Sequence, residues 1–150
     1  MYKERTRLFR VTALFLVIVL ICPVYISAVE PRESAYLTAY QAYPYSAGLG
    51  KIQIYFNVTG VKYLDEIGAL RLSIYESTDQ VNWTLKVTHS NETTPSMLGY
   101  NDIYYSSHVD YQGVVGRYYK AYICIWGGKD GDGDTRYFWT GSTKATLFAQ

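Results

Sequence analysis

The sequence predicts an all-β domain, a two-sheet antiparallel β-sandwich of about seven strands, preceded by an N-terminal signal-peptide helix. Three observations carry that prediction. Apolar and polar residues alternate over short runs bounded by Gly, Pro, Asn and Asp, which is the period-two signature of half-buried strands. Tyr, Thr, Val and Ile are abundant, with 17 Tyr among 150 residues, and these side chains suit a pleated surface. Beyond residue 28 no window repeats an apolar face at helical spacing for three turns, so no helical crossover is available to join parallel strands.

The leader comes first. Residues 1–10 hold Lys3, Arg5, Arg7 and Arg10 against one acid, Glu4. Val11 to Cys22 is a twelve-residue run whose only polar member is Thr12. It is shorter than the roughly 20 residues a membrane-spanning helix needs. Pro23 ends the run, and Ser27-Ala28 offers small residues to a peptidase. This basic start, short apolar middle and small-residue exit describe a secretory signal peptide over 1–28, cut near Ala28. The expected product is secreted, extracellular and free of the membrane once cut. Residues 29–35 are polar, carry Pro31 and read as a flexible lead-in; the sandwich then fills 36–150.

The strands follow in order. Tyr36–Tyr43 is the first, stopped at Pro44. Lys51–Val58 alternates cleanly, with Ile52, Ile54, Phe56 and Val58 on its apolar face. Ala69–Glu76 repeats the pattern with Leu70, Leu72 and Ile74 inward and Arg71, Ser73 and Tyr75 outward. Trp83, Leu85 and Val87 form the inner face of a fourth strand, and 90–95 is a loop. Tyr100–Val109 is the fifth strand. Arg117–Trp126 is the strongest, with Tyr119, Ala121, Ile123 and Ile125 on one face. Gly127–Asp134 reads as a turn, and Thr135–Thr146 completes the set with a break at Gly141. Trp83, Ile54, Leu72 and Ile123 are the expected core.

Two stretches resemble known folds. Ile74 to Trp83 looks like the hairpin of bacterial extracellular sandwich domains, in which a strand ends in Tyr-Glu-Ser, turns at Asp and re-enters at Trp. Gly116 to Ile125 resembles the penultimate strand of fibronectin type III and immunoglobulin-like domains. That resemblance implies a tyrosine near the strand start bonding back to backbone, with Tyr119 the first choice and Tyr118 the second. Taken whole, residues 29–150 resemble small secreted Gram-positive bacterial proteins of a domain-of-unknown-function family. The likeness implies fold and export and no activity. A true immunoglobulin domain pairs two cysteines across its sheets; once Cys22 leaves with the leader, only Cys124 remains of the two in the chain.

Charge and composition narrow the function. The chain holds 14 basic and 13 acidic residues; the leader takes four and one, leaving 10 and 12, a net charge of −2. No basic run remains to displace counterions from phosphates, which argues against nucleic acid as a partner. His89 and His108 lie at no metal-ligand spacing, Gly-x-Ser-x-Gly is absent, and Cys124 sits mid-strand as a small packed residue. No cofactor motif is present, and the chain is expected to be no enzyme.

Two features point toward ligands. Asp130, Asp132 and Asp134 place carboxylates at alternate positions in a Gly-rich run, as a calcium loop does. An EF-hand loop would next want Gly and Glu where this chain has Thr135 and Gly141, and the same composition suits a plain hairpin turn. The second feature is aromatic. Tyr118, Tyr122 and Trp126 share the face of their strand opposite the core, and Tyr55 and Tyr75 also fall on outward faces. Such rings offer large contact area at low entropic cost to a protein or glycan partner; they also serve as cross-strand pairs that merely stabilise a sheet. The expected function is a secreted, non-catalytic binding or interaction module, the alternative a secreted antimicrobial or toxin-like β-protein.

Overall fold

The computed structural model describes Ser34–Gln150; the expected leader and residues 29–33 of the lead-in lie outside the described residues. The strands are β1 (Leu37–Gly48), β2 (Lys51–Ser77), β3 (Thr84–Ser90), β4 (Leu98–Gln112), β5 (Tyr118–Lys129), β6 (Asp132–Trp139) and β7 (Thr143–Lys144). A short 3-10 turn over Pro95–Met97 leads into β4, and no α-helix occurs among the described residues. All strand pairings are antiparallel, so the all-β antiparallel class stands.

The expected two sheets are one. The seven strands form a single hydrogen-bonded sheet in which β2 is the spine. Its first half pairs with β1 on one side and β4 on the other; its second half pairs with β3 and β5, and β6 follows β5. The segments 51–58 and 69–76, read separately in the sequence, are the two ends of this one 27-residue strand. A straight strand of that length would run about 90 Å, too long for so small a domain, so β2 has to bend and the sheet curls.

The bend has visible causes. Between Thr59 and Leu64, β2 advances five positions while β4 moves only from Tyr104 to Asp102. At Gly68 the backbone takes φ 148, and a Cβ there would lie 2.3 Å from the Met97 carbonyl oxygen. A further slip against β5 falls between Ala69 and Arg71. The inward parity holds across the first irregularity, from Val58 to Leu64, and reverses between Leu64 and Ile67 and again at the slip between Ala69 and Arg71. The inward residues therefore run Ile52, Ile54, Phe56, Val58 and Leu64, then Ile67 and Ala69, then Leu72 and Ile74.

These residues close with Tyr119, Ala121, Ile123 and Ile125 of β5, and with Leu37, Met97 and Val109, into one core. Ile54, Leu72 and Ile123 are fully buried, as expected. Pro44 does not stop β1, which continues to Gly48. Among the described strands β1 pairs with β2 alone, and an edge position tolerates a residue with no N–H to donate. The true turn is Leu49-Gly50, both at positive φ.

Trp83 and Leu85 correct the expected core. Trp83 precedes β3 and is only half buried, and Leu85 is 50% exposed. The reason is a bulge: Ile74 pairs with Val87 but Tyr75 pairs with Leu85, so Lys86 is the extra residue and Leu85 turns outward beside Tyr75. Val87 alone packs on the core. The expected turn over 127–134 shrinks to Asp130-Gly131, with φ 55 and 81. That two-residue Asp-Gly loop is the hairpin turn whose twist matches the flanking strands, and Lys129 pairs directly with Asp132.

Tyr119 locks the start of β5. Its hydroxyl accepts a hydrogen bond from the Val114 N–H at 2.8 Å and donates one to Glu76 Oε2 at 2.5 Å. Glu76 also meets Arg117 at 3.3 Å and Lys86 at 3.6 Å. Burial and the bond to Glu76 push the phenol well above the ordinary tyrosine range. Gly113 makes room: a Cβ there would stand 2.7 Å from the Tyr119 ring.

Candidate functional site: an aromatic outer face

Alternation along β5 builds the site. Its odd-numbered residues face the core, so Tyr118, Lys120, Tyr122, Cys124 and Trp126 share the outer face. Cross-strand register then selects their neighbours. Tyr122 lies between Ser73 and Trp139, Cys124 between Arg71 and Tyr137, and Lys120 beside Tyr75. The Trp139 ring sits 4.9 Å from both Tyr75 and Tyr122, and Tyr122 stacks on Tyr137 at 6.1 Å with planes 22° apart. Tyr137 and Trp139 are the open members, 61% and 48% exposed.

Lys120 joins the rings from the other side. Its ammonium lies 4.3 Å from the Trp83 ring and 4.4 Å from the Trp139 ring, a geometry in which the positive charge meets two negative ring faces. Trp83 is held in place by the loop before it. The Asp79 carboxylate accepts hydrogen bonds from the Ser77 hydroxyl, the Val81 and Asn82 N–H groups and the Asn82 side chain. These bonds, Asn82's first, hold the Asp79 carboxyl far below the usual carboxylate range. The Trp83 indole N–H then donates to the Gln80 carbonyl at 3.0 Å. The Ser-Thr-Asp…Trp segment is thus a hydrogen-bonded loop joining β2 to β3.

At the Tyr137 end the face opens into a cleft of about 550 Å³ lined by Leu70, Arg71, Ser90, Asn91, Glu92, Cys124 and Tyr137. Cys124 is 6% exposed beneath this floor, and burial pushes its thiol up. That removes it as a ready nucleophile, since the thiolate is the reactive form. Arg71 projects into solvent, so the cleft offers a guanidinium, a carboxylate, an amide and hydroxyls beside the exposed Tyr137 ring.

The five aromatics expected from sequence do not form one site. Tyr75 and Tyr122 meet at the centre of the cluster. Tyr118 lies further along the same face, with the Lys144 ammonium 5.5 Å from its ring. Trp126 is at the opposite end of β5; its indole N–H donates to Glu66 Oε2 at 3.1 Å and its ring lies where a Cβ on Gly128 or Gly133 would be. Tyr55 belongs to the other half of β2, with Tyr43, Tyr45 and His108 around it. Sequence reading missed Trp83, Lys120, Arg71, Tyr137 and Trp139 as partners. One signal was present: Tyr137 and Trp139 flank Phe138, which packs on the core, so alternation alone places both rings outward.

The aspartates serve as anchors. Asp132 Oδ2 accepts from the Tyr36 hydroxyl at 3.1 Å, and Asp134 Oδ2 accepts from the Ser34 hydroxyl at 2.6 Å. Asp130 contributes its backbone N–H, which donates to Asp65 Oδ2 at 2.7 Å. Among the described residues no three His, Cys, Asp or Glu side chains are grouped to hold a metal ion. His89 lies on β3, 3.5 Å from the Thr94 hydroxyl, and His108 on β4 beside Tyr55. Compared with family models, with curated proteins and with solved structures, the chain matches none.

Proposed function

We propose that this chain is a secreted, non-catalytic binding module that takes a glycan on the outer face of β5 and β6. One observation carries the reading. Tyr137 and Trp139 present open rings from one face of β6, two residues and therefore about 6.6 Å apart, on a floor made by Tyr75, Tyr122 and the Lys120–Trp83 contact. A sugar ring has a C–H face that packs on an aromatic face, and hydroxyls that suit polar groups such as those of the adjoining cleft. Because the rings are already ordered by their neighbours, little entropy is lost when a ligand arrives. Export rests on the leader 1–28, and N-terminal sequencing of exported protein should begin at or near Val29. A fibronectin type III or immunoglobulin-like ancestry of the curled sheet draws support from the Tyr119 corner.

The direct test is affinity electrophoresis through soluble polysaccharides with wild type, Trp139→Ala and Tyr137→Ala. Retardation of wild type that both variants lose, at unchanged melting temperature, supports the reading. Retardation that survives both substitutions removes this face from the function.

The toxin-like alternative draws on a different place. Leu49, Val114, Val115, Leu147 and Phe148 are exposed together at one end, where the Leu49 N–H donates to the Leu147 carbonyl and the Gly116 N–H to the Ala145 carbonyl. Leakage from anionic phospholipid vesicles that Phe148→Ser abolishes would favour it over glycan binding.

A further inference from the structure

We propose that the glycan taken by this face is anionic, its carboxylate or sulfate groups held by Arg71 and Lys120. The inference rests on the glycan reading above and narrows it. Beyond the leader the chain carries 10 basic and 12 acidic residues, a net charge of −2, yet its basic residues concentrate on one face. Arg71, Lys86, Arg117, Lys120 and Lys144 belong to the strands, or the approach to them, that make the aromatic face. Asp65, Asp130, Asp132 and Asp134 gather at the far end of the β5–β6 hairpin. There Asp65 accepts from the Asp130 N–H and meets Lys129, Asp132 accepts from the Tyr36 hydroxyl and Asp134 from the Ser34 hydroxyl.

The acids near the aromatic face are mostly spent. Glu76 has a side chain only 11% exposed and is bonded to Arg117, Lys86 and Tyr119. The Asp79 carboxylate is occupied by its own loop. Glu92 remains, on the wall of the cleft. Arg71, Lys120 and Lys144, by contrast, form no salt bridge with any described residue. Lys120 and Lys144 rest on aromatic rings instead, which fixes a cation in place without neutralising it.

The spacing suits a polymer better than a small anion. Arg71 lies across from Cys124, level with Tyr137, and Lys120 is four residues back along β5. Their backbone positions are therefore about 13 Å apart along the strand, with Tyr122 and Trp139 at the level between them. A guanidinium at one end offers a planar fork to a carboxylate or sulfate. The arrangement alternates charge, ring and charge, the complement of a chain of acidic sugars.

The test uses the purified protein against five probes: polygalacturonate, its methyl ester, dextran sulfate, dextran and inorganic polyphosphate. The inference expects binding of polygalacturonate or dextran sulfate, with the matched neutral polymer bound about tenfold more weakly or not at all. Arg71→Gln and Lys120→Met, which keep the stems packed, should each weaken the anionic polymer about tenfold, the equivalent of 1.4 kcal/mol. Wild-type affinity should fall as salt rises from 50 to 300 mM, since exposed charges are screened over about 10 Å at 0.1 M. Equal binding of neutral and anionic polymers, or salt-independent binding, overturns the charge inference and leaves ring stacking standing. Equal binding of polyphosphate overturns the sugar requirement. Binding to none of the five overturns both readings, and a polypeptide partner that protects Trp139 would then take the face.

Discussion

Removing a single oxygen from Tyr119 should cost this domain about 2 kcal/mol. The phenol is fully buried, and its hydroxyl both accepts from the Val114 N–H at 2.8 Å and donates to Glu76 Oε2 at 2.5 Å. Tyr119→Phe leaves the ring, and therefore the packing, in place. Hydrogen bonds to charged groups contribute about 1.5–3 kcal/mol, and the bond to Glu76 is of that kind. The Val114 N–H adds less, because Val114 is exposed and water can reach its surroundings. Glu76 keeps Arg117 and Lys86, which limits the loss to roughly the middle of the range. For a domain of this length, 2 kcal/mol corresponds to about 8 °C in Tm. Urea denaturation, with thermal melting alongside, measures it, and Tyr118→Phe is the control because that ring faces outward beneath Lys144. The control should move stability by less than about 0.5 kcal/mol. A loss below about 0.5 kcal/mol in Tyr119→Phe, or equal losses in both variants, would refute the corner as a source of stability.

Three further outcomes follow from the same geometry. Asp79→Ala should lower Tm at neutral pH, because four donors converge on that carboxylate. A carboxyl held below its unfolded value stabilises above about pH 4 and loses that contribution as the pH falls further, so the gap between wild type and variant should close in acid melts. Gly131→Ala should cost about 1–2 kcal/mol in urea denaturation, since Gly131 takes φ 81 with open space around it, which leaves backbone strain as the sole penalty. Trp83→Ala should cost only about 1 kcal/mol, the scale of a surface cation–π contact, where a core tryptophan would cost about 3–5 kcal/mol. A loss on the core scale would return Trp83 to the interior.

Strand class was readable because alternation in 51–58, 71–76 and 117–126 is local and each run keeps one face buried, whereas Leu70, expected inward, falls at the slip between Ala69 and Arg71 and lines the outer cleft. The union of the first two into β2 was not readable. Between Thr59 and Ala69 the bulge at 60–63, Leu64 and the turn-over at Gly68 break the period of two, and a broken period looks like a loop in sequence. Trp83 and Leu85 failed for a related reason: the bulge at Lys86 reverses the face, and pairing partners rather than the strand's own residues create it. The site followed the same rule. Tyr75 and Tyr122 were legible as outward rings, because each strand reports its own faces. Their meeting with Trp139, Tyr137 and Lys120 depends on the register of β2, β5 and β6, which no single strand encodes. A turn was legible over 127–134, but its narrowing to Asp130-Gly131 depends on the β5–β6 register, and the roles of Asp132 and Asp134 depend on a hydroxyl pair about a hundred positions away.

The three tryptophans offer a direct reading of where a ligand lands. Trp139 and Trp83 belong to the aromatic face, and Trp126 lies at the opposite end of β5, bonded to Glu66. Indole N–H resonances, assigned by single substitution and followed in two-dimensional nitrogen–proton spectra during titration with polygalacturonate oligomers, distinguish them. The account predicts that the Trp139 and Trp83 signals move together in a saturable way while Trp126 stays fixed. Movement of Trp126 with Trp139 unmoved would contradict it.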